Sequence, residues 1–121
     1  MRIWDLPPGK LCRPHLLGEH RELHAIWSVL TKGKTGYSRH PETLRWRGRL
    51  KALCARHGRL VDEMLARGYH HYTPLDKKLA RGAAVQTVFV DSVAAQKALL
   101  RRKGCACFTA KARFRGGDAS K

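Results

Sequence analysis

Carboxylates are scarce in this chain: nine Asp and Glu stand against 25 Lys and Arg in 121 residues, for a formal net charge of +16. A balance of that sign points to a polyanionic partner, because each Lys or Arg set on a phosphate releases counterions and gives salt-sensitive affinity. Long apolar runs are missing too. None approaches the ~18 residues of a membrane span. No stretch pairs a basic helix face with a bulky aromatic one, which sets aside binding to a membrane surface. The opening MRIWDLPPGK has no apolar signal-peptide core and carries an early Asp5, so an intracellular protein is expected. Aromatic residues make up only 7%, a poor supply of the stacking platforms that single-stranded RNA readers use. Cysteines are few: Cys12, Cys54, Cys105 and Cys107. Their spacing matches no zinc-finger pattern, and Cys105-Ala-Cys107 is tighter than the usual paired thiolates of a structural zinc site. Free thiols are expected, with neither metal nor cofactor. The seven histidines form no HExxH or comparable metal signature.

What is present reads as helix. The length suits a single domain over 1–121 with a core of its own. Pro7-Pro8-Gly9 is a turn, and Pro14 can occupy the first turn of a helix. Leu16, Leu23, Trp27 and Leu30 then recur with helical periodicity, and at ~100° per residue His15, Glu19 and Glu22 form a neighbouring stripe. A helix is predicted from Pro14 to Thr31. Residues 32–41, KGKTGYSRHP, form a basic loop. Its GKT is not a Walker motif, since Ser28 stands where the first glycine would be needed. Lys32, Lys34 and Arg39 are expected to meet a nucleic-acid backbone.

From Glu42 onward Leu50, Leu53, Cys54, Leu60, Val61, Met64 and Leu65 make an apolar stripe. Gly48 and Gly58 interrupt it, giving two helices or one bent one. The stretch closes on Arg67 and a Gly68 cap. Thr73-Pro74-Leu75-Asp76 resembles an N-cap before a short helix to Arg81. VQTVFV (Val85–Val90) is β-prone but has no partner strand, so loop or extended chain is expected. Asp91 or Ser92 can cap a last helix, Val93 to Lys103. A mobile basic tail is expected over 109–121. The fold class is all-α, a compact domain of about three main helices with basic loops.

In HLLGEHRELHAIW (His15–Trp27) two of the nine carboxylates, Glu19 and Glu22, sit one helical turn apart among Arg21, His20 and His24. On spacing alone, a solvated helix face with both acids paired to arginines accounts for them. A Glu aimed at DNA, however, is repelled by phosphate unless it does chemistry. Met1-Arg2-Ile3 followed by HLLGEHREL resembles the N-terminal catalytic segment of the pyrimidine-dimer DNA glycosylase/AP lyases of the phage endonuclease V type, in the same order and without a gap. RHGRLVDEMLARGY (Arg56–Tyr69) resembles the same family, and GKTGYSRHP is similar to its bacterial members. The likeness is strongest over 1–70.

That resemblance implies a bifunctional glycosylase/AP lyase in DNA base-excision repair, acting as a monomer on double-stranded DNA that contains damaged bases or abasic sites. Cyclobutane pyrimidine dimers are the implied lesion. The α-amine of Met1, in register with the family's amino-terminal nucleophile, would attack C1′ and form an imine that permits β-elimination. Glu22 would stabilise the cationic sugar and move protons. Arg2, His15 and Arg21 would contact phosphate or sugar, as would Lys34 and Arg39 of the loop and Arg113 of the tail. Glu19 would orient its neighbours. An α-amine titrates near ~7.7–8.0, so a neutral fraction is available at physiological pH.

The chain departs from the family in two places. His24-Ala25 stand where the phage enzyme has Pro-Arg. The tail offers Phe108 and Phe114 where the phage enzyme has a Trp- and Tyr-rich loop. Another damaged or modified base, or an abasic site alone, therefore stays open as the substrate, and the rival from another class is a non-catalytic basic DNA-binding module.

Overall fold

The computed structural model describes residues 2–70, 73–109 and 112. Extended chain over 2–7 leads into a 3-10 turn at Pro8–Lys10, followed by α1 (Arg13–Lys32). A loop carries the chain to the one-turn α2 (Pro41–Leu44) and then to α3 (Leu50–Ala66). Over 73–92 the chain is irregular, broken by a 3-10 turn at Lys77–Leu79, before α4 (Val93–Arg102). Among the described residues there is no strand, and no helix is long and apolar enough to cross a membrane. The fold is all-α.

The ends of these elements have local causes. α1 begins at Arg13, with Pro14 in its first turn, and stops at Gly33, whose φ of 65° is left-handed. Gly48, at φ 72°, separates α2 from α3, whereas Gly58 is absorbed inside α3. The stretch from Glu42 onward is thus two helices, and the whole apolar stripe from Leu50 to Leu65 lies on the second. α3 closes on a Schellman motif: Tyr69 N–H donates to the Met64 carbonyl and Gly68 N–H to that of Leu65. Ser92, not Asp91, caps α4, its Oγ accepting from Ala95 N–H at 3.1 Å. Thr73 does not start a helix. Asp76 is itself the cap, accepting from Lys78 N–H at 3.0 Å, and only a single 3-10 turn follows. Val85–Val90 is irregular and largely exposed. The expected tail over 109–121 lies outside the described residues apart from Thr109 and Ala112.

α1 packs along α3. Leu16, Leu23, Ile26 and Trp27 meet Leu53, Leu60 and Met64 in one core that also takes Ile3, Trp4, Leu6 and Leu11 from the N-terminal segment and Leu100 from α4. Leu65 was expected in the stripe but is 56% exposed. It stands ~100° round the helix from Met64, off the buried face. Arg56, His57 and Arg67 are buried in its stead.

Candidate functional site

The N-terminal segment is held by charged side chains that are themselves buried. Glu19 accepts from the Trp4 N–H at 3.1 Å and takes two bonds from Arg56, at 2.6 Å from Nε and 3.0 Å from Nη2. Arg56 also donates to the Leu6 carbonyl at 2.8 Å. Arg45 donates to the Ile3 carbonyl at 2.9 Å, pairs with Asp5 at 3.1 Å and bonds to Glu42. Glu42 in turn accepts from the Ile3 N–H. Gln96, from α4, accepts from Asp5 N–H at 2.8 Å and donates to its carboxylate at 3.0 Å. Burial pushes the Glu19 carboxyl above its ordinary range, against the pull of Arg56 and the Trp4 N–H. Burial likewise raises Glu42, against Arg45 and Trp46. Four helices thus fix four consecutive residues, 3–6, at the cost of desolvating several charges.

One turn further along α1, Glu22 is half-buried, and no hydrogen bond or ion pair joins it to any described residue. The two acids therefore differ. Glu19 is consumed by the scaffold and Glu22 is available. Arg21, beside it, is exposed. His24 is not an isolated surface residue: its Nε2 lies 3.2 Å from His20 Nε2 and 3.1 Å from His57 Nε2 of α3.

The remaining sequence-derived positions divide. Arg2 pairs with Asp91 at 2.9 Å and lies over the Trp4 ring, 5.0 Å from its centroid. His15 turns Nδ1 toward sulfur, 3.0 Å from Cys12 Sγ and 3.4 Å from Cys107 Sγ, so only its other ring nitrogen can face a nucleotide. Burial, with help from Lys103, lowers the His15 pKa. Lys34 and Arg39 are exposed on the loop beyond α1. Lys34 and Tyr37 line a groove of about 400 Å³ with His24, Ser28 and Val29. Met1 and Arg113 lie outside the described residues.

At 1.5 Å per residue, His15 and Lys32 are about 25 Å apart along α1. The positions are therefore spread out and do not share one pocket. A separate cleft of about 480 Å³ beside the anchored segment is lined by Trp4, Asp5, Trp46, Arg56 and Arg59, and Glu22 does not line it.

Sequence reading missed Arg45, Glu42 and Gln96 as anchors. A buried arginine carries no mark among 25 basic residues, and these partners come from distant parts of the chain. It also missed the meeting of His15 with the cysteines. Cys12-x-x-His15 at the start of a helix was the available signal, since an i, i+3 pair shares a face.

A family model described as pyrimidine dimer DNA glycosylase matches residues 1–77. The match spans α1, α2, α3 and the anchored segment, and ends before α4. Comparison with curated proteins and with solved structures returned no match.

Proposed function

The chain belongs to the pyrimidine dimer DNA glycosylase family, and from that premise we propose that it excises the damaged base with the α-amine of Met1 as nucleophile and Glu22 as the catalytic carboxylate, and then cleaves the strand as an AP lyase. The observation that carries this reading is the contrast on α1. Glu19 anchors the backbone two residues beyond Arg2, while Glu22, a turn away, has no partner among the described residues. In a chain with 25 basic residues, a half-buried carboxylate without a counter-ion suits a cation that exists only during reaction.

The steps balance without a cofactor. The neutral amine bonds to C1′ as the glycosidic bond breaks, and the base leaves with the bonding electrons. Glu22 faces the developing oxocarbenium charge, where a preplaced carboxylate is worth most. The sugar ring opens to the imine and the amine loses its proton. Removal of a C2′ proton then breaks the C3′–O bond, releasing the 3′ strand. Reaching C1′ requires an extruded nucleotide, which a distorted lesion makes less costly. Arg21, exposed next to Glu22, and Arg2, whose pair with Asp91 can be exchanged for phosphate, would hold the backbone on either side. The anchoring of residues 3–6 supports the reading, because an amine nucleophile must be presented in a fixed place.

Borohydride trapping of the untagged chain, on duplexes with an abasic site or a cyclobutane dimer, tests it. A covalent adduct at Met1 is expected, absent from a form extended before Met1, with both steps slowed by about 10²–10⁴-fold in Glu22→Gln. Adduct on the dimer duplex would make dimers the substrate, and adduct on the abasic duplex alone would restrict the enzyme to lyase chemistry. Intact DNA binding with no adduct on either would sink the mechanism.

A further inference from the structure

Three cysteines that the glycosylase reading does not use converge with His15 beside the first turn of α1. Cys12, His15, Cys105 and Cys107 bring three Sγ atoms and one imidazole nitrogen within 4.8 Å of one another. No disulfide joins any of them. We propose that these four residues form a tetrahedral structural zinc site that pins the segment after α4 to the start of α1.

The ligand set is complete and of the right kind. Three thiolates with one imidazole is a standard closed zinc set, and soft sulfur donors select zinc over hard cations. A tetrahedral site with Zn–S of about 2.3 Å has sulfurs about 3.8 Å apart. The observed clustering needs only a small contraction to reach that. The spacing objection to Cys105-Ala-Cys107 applies to a site built from one loop. Here the second pair, Cys12 and His15, comes from a helix 90 residues earlier, and their i, i+3 offset places both on one face.

Two further features point to a centre that is more than packed thiols. His15 directs Nδ1 between Cys12 and Cys107. The Cys12 N–H donates to Cys107 Sγ at 3.0 Å, the kind of backbone bond that supports a metal-bound thiolate. The backbone is bent to deliver these ligands. Gly104 takes a φ of 67° to end α4, and Phe108 takes 63°, its N–H bonded to the Lys10 carbonyl at 2.7 Å. Binding releases the thiol protons to solvent, and with four protein ligands no position is left for substrate. The site is structural.

Elemental analysis of the untagged full-length chain, purified without chelator, provides the test. One zinc per chain is expected, lost in Cys107→Ser and kept in Cys54→Ser and in His24→Ala. Should the Cys107 variant fail to fold, cobalt substitution of the unaltered chain reads the ligands directly. Sulfur-to-cobalt charge-transfer bands with tetrahedral visible bands are expected. A zinc-free chain without those bands would overturn the proposal. So would metal that follows His20, His24 and His57, or a disulfide between any two of the three cysteines.

Discussion

Glu19 and Glu22 share a helix, a charge and a flank, yet burial and partners give them separate work. Glu19 is locked between the Trp4 N–H and the Arg56 guanidinium. Arg56→Met leaves that carboxyl buried without its cation and the Leu6 carbonyl without its donor, a loss of about 3–5 kcal/mol. The pH trend of that variant carries a signature. A carboxyl whose folded pKa is raised keeps a proton that the unfolded chain gives up above 4.5. Its contribution is therefore present at low pH and lost as pH rises from 4.5 toward the folded value. Arg56→Met removes the main downward pull on Glu19 and widens that interval. Its melting temperature should fall more steeply between pH 4.5 and 8 than that of the unaltered chain, and parallel slopes would show that Arg56 does not hold Glu19 down. Glu22→Gln should behave in the opposite way. With no described partner to lose, its stability should stay within about 0.5 kcal/mol, while excision falls by the margin given above. A thermal melt alongside the activity assay separates the two acids.

At the scale of elements, the break between α2 and α3 is a backbone device. Gly48 turns with φ 72°, and its carbonyl accepts from the Ala83 N–H at 2.8 Å. Gly82, at φ 88°, comes so close that a Cβ there would sit 2.2 Å from the Gly48 oxygen. Gly33, at φ 65°, has nothing within 4 Å of that position. Gly33→Ala should therefore cost about 1–2 kcal/mol, for conformation alone. Gly82→Ala adds a backbone clash and should reach about 3 kcal/mol or more. Equal midpoints in urea would show that the contact yields. These elements differ in how much of them the sequence carries. α1 and α4 were legible because Pro14, Gly33 and Ser92 are local signals that tertiary packing leaves in place. Gly48 and Gly58 look alike as sequence, yet Gly48 turns with positive φ against Gly82, 34 residues on, while Gly58 stays within α3. Asp76 in place of Thr73 is a smaller case: two candidate caps stand within four residues, and it is the later one whose carboxylate takes the Lys78 N–H.

At the scale of the molecule, the net charge of +16 has two uses. Arg45, Arg56 and Arg67 are buried. Arg67 donates to three carbonyls, those of Pro8, Leu11 and Ala112. These cations organise the chain and are largely withdrawn from solvent. Composition alone made every basic residue a candidate contact, and burial is the property it could not supply. The same blindness hid the thiol cluster, whose halves are 90 residues apart. The exposed remainder is spread over the surface, and one part of it runs along α1 from Arg21 and Lys32 to the loop carrying Lys34 and Arg39. From Arg21 to Lys32 α1 rises about 16 Å, which corresponds to roughly five nucleotides of one strand at 3.4 Å each. If that line follows the backbone, affinity for undamaged duplex should fall with salt at about −0.9 in log–log slope for each phosphate neutralised. Lys34→Ala and Arg39→Ala should each make the slope shallower by about one, and by about two together, because well-separated contacts act independently. Neither change should alter trapping chemistry at saturating enzyme, since neither residue lies on the α1 turn that holds Glu22. Titration of a fluorescent duplex between 50 and 200 mM salt, a window in which several phosphate contacts are readily resolved, reads both slopes. Slopes untouched by either substitution would take the loop out of the interface and leave the α1 flank to bind DNA without it.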